Sequence, residues 1–279
     1  MPRANDPSAR LAALERGGAA LRRVGLGRLV TAAASRFGSR LSRFETEIQG
    51  VRLGGDRLGH LYYARELVAD DRERFFRSLF VDSIGPGATV LEGGPYIGYL
   101  TVTAALATGE DGRVVAVEPN PDTISALRAN VKRNGCAERV RVVEAALGAE
   151  AGRAAFHVTE GGDTSSLHAP AHATRVVEVD VVPGDDLLDR VDVVKLDLEG
   201  NEVAAIRGLQ RLIEESGPVI FCECNPGMLH AAGFSTNDLV DELGKLRYDV
   251  RWIDETTGTL QPLERPWEGD YVNLRCERD

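Results

Sequence analysis

From about residue 88 onward, short runs of β-branched and apolar residues alternate with longer stretches whose apolar positions recur every three or four residues. Residues 89–91, 113–117, 140–143, 191–196 and 219–224 have the strand pattern, and 97–107, 121–134, 201–215 and 236–246 the helical one. Regular alternation of this kind predicts a mostly parallel sheet covered by helices on both faces, a Rossmann-like α/β fold. Residues 250–253 and 271–275 are two further runs able to complete a sheet edge. An extra section carries strand-like pieces at 154–158 and 175–182, joined by the polar sequence TEGGDTSSLHAPAHAT with His168 and His172. A connection that long is a lid, a binding loop or a disordered link.

Ahead of this body, Val30, Ala34, Phe37, Leu41 and Phe44 form an apolar stripe at helical steps, and arginines occupy the remaining faces. Arg3, Arg10, Arg16, Arg22, Arg23, Arg28, Arg36, Arg40 and Arg43 are opposed only by Asp6 and Glu15. Residues 1–45 therefore read as an arginine-rich helical arm, divided at Gly17 and Gly18, and 46–279 as the main domain. The arm suits packing on the acidic body or on a second copy of the chain, which would make a homo-oligomer. An organelle-targeting peptide and a membrane-surface helix share its composition.

The chain has 279 residues, 43% hydrophobic, with a formal net charge of -10. The hydrophobic share is enough for a core, and the charge argues against nucleic acid as a partner, since phosphate binding needs a basic face. No apolar run is long enough to cross a bilayer, and the first residues lack a secretion-signal core, so the expected location is cytoplasmic. Cys136, Cys222, Cys224 and Cys276 have no zinc-site spacing and read as buried packing thiols.

Candidate chemistry begins at VLEGGPYIGYL, residues 90–100. A dinucleotide fingerprint needs G-x-G-x-x-G, whereas Gly94 and Gly98 stand four apart and Glu92 puts negative charge where a pyrophosphate would lie. A carboxylate with this spacing suits a cofactor that is cationic and carries no phosphate, such as S-adenosylmethionine. Glu92 would face its ammonium end, Gly94 would let the backbone approach, and Gly98 would let helix pack on strand. In VVAVEPNP, Glu118 ends the second strand ahead of Pro119 and Asn120 and can accept both ribose hydroxyls. In VVEAALG, Glu144 can receive the adenine amino group, with Ala145 and Ala146 as an apolar wall.

The fourth strand reads VDVVKLDLEGNEVAAIRGL and is followed by GPVIFCECNP. Together with VLEGGPYIGYLT, VVAVEPNPDTISALRANVKRNG and GDTSSL, these stretches resemble the FkbM family of S-adenosylmethionine-dependent methyltransferases over roughly residues 45–254. Its K-x-D-x-E-G-x-E pattern falls on Lys195, Asp197, Glu199, Gly200 and Glu202. The resemblance implies a seven-stranded sheet with one reversed edge strand, and O-methylation of a small molecule or sugar. The first turn departs from the family pattern: Glu92 replaces Asp, and Pro95 and Tyr96 replace Ala and Asn. Tyr96 fills space near the methionine end, so the donor sits differently or its sulfonium serves another chemistry.

Methyl transfer to oxygen needs alignment of acceptor, methyl and sulfur, and removal of the acceptor's proton. Lys195, Asp197 and Glu199 are two apart and share a face of an extended strand. Asp197 is read as touching donor and acceptor, Glu199 as base or substrate ligand, and Lys195 as paired with a carboxylate, Glu223 being the neighbour on the next strand. The same triplet could instead be a structural ion network, and Glu202 a helix cap. Asp197, Glu199, Glu223 and Asn225 could converge on a divalent cation. A metal-free site is preferred, because no second acidic pair has the tight spacing. His230, in NPGMLHAAGF, is a further catalytic candidate, as are His168 and His172, while His60 and His157 have no assigned part. The leading reading is an O-methyltransferase for a small hydroxylated acceptor. Cyclisation or aminopropyl transfer from the same donor, and a silent donor-binding partner subunit, are the alternatives.

Overall fold

The computed structural model describes residues 43–69, 73–159, 164–168, 173–263, 265, 267 and 269–278. The stripe at Val30, Ala34, Phe37 and Leu41, and the oligomer reading of the arm, lie outside the described residues. Where the description begins, FETEI alternates with period two. Phe44 and Ile48 are buried from strand β1 (Phe44–Ile48), which pairs antiparallel with β2 (Val51–Gly55). Phe44 therefore belongs to a strand and not to a helical stripe, and the boundary placed after residue 45 falls inside that strand.

Two helices absent from the sequence reading follow, α1 (Leu58–Ala69) and α2 (Arg74–Asp82). The alternating body then runs β3 (Thr89–Gly93), α3 (Tyr99–Ala107), β4 (Arg113–Val117), α4 (Pro121–Arg133) and β5 (Val140–Val143). The extra section is β6 (Ala146–Leu147), β7 (Gly152–Thr159) and β8 (Ala173–Val182), a small sheet in the order β6-β8-β7. The chain continues through β9 (Val193–Leu196), α5 (Glu202–Arg207), α6 (Gln210–Ser216), β10 (Val219–Cys224), α7 (Pro226–Ala231), α8 (Thr236–Lys245), β11 (Tyr248–Asp254), β12 (Thr259–Pro262) and β13 (Val272–Arg278). The helix expected over 201–215 is broken at Gly208, whose carbonyl accepts from Asp185 N–H at 2.9 Å and whose bare face lets the Gly148 carbonyl approach.

The main sheet has the order β12-β11-β13-β10-β9-β3-β4-β5, with β10, β9, β3, β4 and β5 mutually parallel. This is the α/β class expected, with two differences. The described residues give eight strands rather than seven, and the reversed strand β13 lies inside the sheet, not at its edge. Cys276 pairs with Ile220 on one side and Val250 on the other, and Leu274 and Cys276 are fully buried, so an edge position would waste both. Outermost β12 also runs antiparallel, against β11.

Strand alternation divides the core. Val90, Val193 and Phe221 face the layer of α2 and α3, where Phe221 meets Phe76 and Phe80 edge-on at 5.6 and 5.5 Å. Leu91, Val194, Ile220 and Cys222 face α5, α6 and α8. All four cysteines are free and buried, as packing thiols should be. No described helix is long and apolar enough to cross a membrane.

Asn130 of α4 ties the N-terminal hairpin to this body. Its Oδ1 accepts from Gly54 N–H at 2.8 Å, while Nδ2 donates to the carbonyls of Gly54 at 2.9 Å and Ile97 at 2.8 Å. Asn130→Ala strands three polar groups, so urea denaturation should show a loss of about 3 kcal/mol. A loss below about 1 kcal/mol would mean that water replaces the amide there.

Candidate functional site

The carboxyl ends of β3, β4, β9 and β10 open into a cavity of about 240 Å³. Its floor is the turn after β3. Gly94 has φ +74°, and a Cβ on it would lie 1.8 Å from the Asp197 carbonyl oxygen, so the two strand-end loops touch only because position 94 has no side chain. Gly98, at φ +87°, starts α3, and its bare face meets Leu127 of α4. Pro95 and Tyr96 both line the cavity. Tyr96 holds a left-handed φ of +51°, fixed from two sides: its N–H donates to Glu118 Oε2 at 3.1 Å, and its ring stands edge-on to Tyr63 at 5.1 Å and His60 at 5.5 Å.

Glu118 is buried beside the turn, with Asn120 N–H on Oε1 at 2.8 Å. Burial pushes its carboxyl up to about 7, against the pull of the Asn120 and Tyr96 backbone donors. Pro119 also lines the cavity. Asn120 caps α4 by accepting from Asp122 N–H at 3.0 Å, and its Nδ2 reaches Ser165 Oγ at 3.4 Å, so the extra section is fastened over the β4 turn.

Glu144 does not reach this cavity. β5 is the edge strand, and beyond its end Glu144 turns outward to Arg128 Nη1 at 2.7 Å, both side chains about half exposed. Ala145 is packed in the core below, and Ala146 and Leu147 supply the apolar wall instead.

Glu92 is sealed in at 1% exposure, with Thr101 Oγ1 on its Oε2 at 2.5 Å. Burial raises its pKa, and Lys195 and Thr101 oppose the rise. Burial alone would lower Lys195, but Asp197 and Glu92 overcome it and hold the ammonium above its ordinary value. Lys195 donates to Asp197 Oδ2 and to the Gly94 carbonyl, each at 3.2 Å, and makes no bond to Glu223. The register explains this departure from the expected pair: Lys195 lies opposite Phe221, two residues short of Glu223.

Asp197, Glu199 and Glu223 line one wall together, and one ligand atom from each lies within 4.8 Å of the others. Asn225 is not among them; its side chain caps α7 at Met228 N–H. Glu202 reaches back to the N–H groups of Leu198 at 2.8 Å and Gly200 at 3.3 Å, holding the turn that presents Glu199 at φ +52°. Burial pushes Glu202 up to about 7.

His230 is exposed on α7. Its neighbour Leu229 takes the buried position, and one helical step turns His230 away from the cavity. His172 lies outside the described residues. His168 is half-buried and does not line the cavity, although Ser165 and Leu167 do. The remaining wall was missed from the sequence: Tyr63, Glu66, Glu73 and Phe76 of the α1–α2 region, Phe156 of β7 and Asn273 of β13. The i, i+4 pair Phe76 and Phe80 was the available sign that α2 packs on the sheet.

Among the described residues, seven carboxylates and one ammonium line the cavity, with no arginine or histidine. An acidic cavity at the carboxyl edge of a doubly wound sheet, where a dinucleotide site would be neutral or basic, suits enzymes that use a cationic adenosine cofactor. The family model for the methyltransferase FkbM domain matches residues 92–250, more than half of the chain, and the chain belongs to that family. It is a methyltransferase whose cofactor is S-adenosylmethionine.

Among solved structures, the methyltransferase FkbM from Methylobacillus flagellatus KT is 18% identical, with 80% of this chain and 55% of that one covered and a TM-score of 0.45. Precorrin-6y C5,15-methyltransferase from Geobacter metallireducens GS-15 is 16% identical, covering 72% and 88%, TM-score 0.44. The SAM-dependent O-methyltransferase from Thermotoga maritima is 13% identical, covering 84% and 77%, TM-score 0.42. No curated protein matches the chain. The family match, not these distant likenesses, carries the assignment.

Proposed function

We propose that the chain transfers the methyl group of S-adenosylmethionine to a hydroxyl of a small molecule. The observation that carries this reading is the wall of Asp197, Glu199 and Glu223 in the same cavity as the Gly94–Tyr96 turn. The residues present fit the donor: the turn is bare at Gly94, the lining is anionic, and the one ammonium among the described lining residues is engaged by Asp197 and the Gly94 carbonyl. Gly94, Pro95, Tyr96, Gly98, Glu118, Pro119 and Asn120 would hold it, with Ala146 and Leu147 beside the base. Glu92 contributes through its field and through Lys195. When bound, the donor supplies an electrophilic methyl on a positively charged sulfur.

The chain's own part is to aim the acceptor and take its proton. The Asp197 side chain is 40% exposed and Glu199 lines the same cavity, so a hydroxyl bound there can donate to either. Burial, with the Asp197 and Glu199 charges, raises Glu223 well above the usual carboxylate range. A cavity of this size and sign favours a compact hydroxylated molecule, such as a sugar or a secondary metabolite, over a nucleic acid. Incubation with methyl-labelled donor and a panel of hydroxylated compounds should place the label on an acceptor oxygen. Label recovered only on RNA, or on acceptor nitrogen or carbon, would refute the reading.

Glu118 gives a second measurable consequence. Its ionised form accepts hydroxyl donors best, so affinity for S-adenosylhomocysteine should fall by up to about tenfold per pH unit below pH 7. Glu118→Gln should weaken binding by about 30-fold and flatten that pH dependence. Equal affinity at pH 5.5 and 7.5 in the unmodified chain would contradict a ribose role.

A further inference from the structure

We propose that Asp197, Glu199 and Glu223 bind a hard divalent cation, and that the cation fixes an acceptor carrying two neighbouring oxygens, as in a vicinal diol or hydroxy acid. The substrate part deepens the hydroxyl-methylation reading and rests on it; the metal site stands on its own geometry.

Two independent observations meet here. One carboxylate oxygen from each residue lies within 4.8 Å of the other two. Oxygens that share a calcium-sized ion at about 2.3–2.6 Å are separated by at most about 5 Å, so the three fit one coordination sphere with little movement. The second observation is Glu223 Oε2, which is closed off from solvent with no hydrogen-bond donor in the described structure, while Glu223 lines the cavity. A buried carboxylate oxygen without a donor is costly to leave so. Lys195 donates to Asp197 and the Gly94 carbonyl and not to Glu223.

Three protein oxygens leave room for further ligands in a six- to eight-coordinate shell. An acceptor with adjacent oxygens can fill two positions and displace water. Methylation then forms the acceptor O–CH3 bond as the S–CH3 bond breaks, with its electron pair left on sulfur. The hydroxyl proton passes to the Glu199 oxygen that does not face the ion. The ion lowers the pKa of the bound hydroxyl and sets which of the two oxygens reacts.

Isothermal titration and Mn2+ electron paramagnetic resonance on the full chain test the site without reference to activity. One Mn2+ per chain is expected, displaced by Ca2+ or Mg2+. Glu223→Gln and Glu199→Gln should each weaken it by roughly 100-fold, while surface Asp249→Asn leaves it unchanged. Melting curves report folding: Glu223→Gln should melt higher than the unmodified metal-free chain, since it removes one of three repelling carboxyls. No Mn2+ bound, or binding that Asp249→Asn weakens as much as Glu223→Gln, overturns the inference. Bound Mn2+ without transfer to any hydroxyl sinks only the acceptor reading. Full hydroxyl methylation in EDTA-treated chain that binds no Mn2+ sinks only the metal.

Discussion

Replacing Gly94 by alanine should abolish donor binding and cost the fold about 3 kcal/mol or more. Two separable terms add up. The first is conformational: φ at +74° costs an alanine about 1–2 kcal/mol. The second is steric: the new Cβ would sit 1.8 Å from the Asp197 carbonyl oxygen, which is backbone and has no rotamer through which to escape. Relief requires the ends of β3 and β9 to part, and those ends carry both halves of the cavity. Gly109→Ala is the matched control, because Gly109 has φ +73° with nothing within 4 Å of its added Cβ. It should lose only the conformational term in urea denaturation and keep full affinity for S-adenosylhomocysteine. Equal losses at the two positions would mean that the loops at 94 and 197 do not meet as described.

Lys195→Met should be the most damaging change of charge, at about 3–5 kcal/mol at pH 8, because it strands buried Glu92 and leaves Asp197 without its cation. The Asp197 side chain is 40% exposed, so solvent screens its share, and buried Glu92 carries most of the cost. The sign of the pH dependence follows. Glu92 already has a raised pKa in the folded chain, and losing Lys195 raises it further. An acid whose folded pKa exceeds its unfolded one loses stability as pH climbs between the two values, so the variant's deficit should be largest at pH 8 and shrink toward pH 5. Urea denaturation of both chains at the two pH values decides it. A deficit independent of pH would assign the loss to packing alone.

The parts of this architecture legible in sequence share one property, a short β-branched run set off from helical stretches on either side. β4, β5 and β10 occur at the bounds their apolar runs predicted, and the turn at Gly94 and Gly98 was visible because only glycine permits those approaches. The hairpin and α1–α2 were not legible, since β1 alternates over only five residues and α1 has no marked apolar face. Side-chain direction was the other gap. Glu144 and His230 were placed by their distance along the chain from strand ends. Edge-strand geometry sends one to Arg128 and a single helical step turns the other to solvent. Lys195 chose Asp197 over Glu223 for a reason of register that no spacing rule contains.

The reversed strand has a bearing on how the protein is made. Residues 272–278 sit between two strands translated earlier, so β10 and β11 have no hydrogen-bonded neighbour in common until β13 has been made. The half of the sheet from β9 to β5 can pair as it emerges. The other half must wait with an open slot, and a nascent chain stalled before residue 272 would expose two unpaired strand borders to whatever chaperone or neighbouring chain reaches them first.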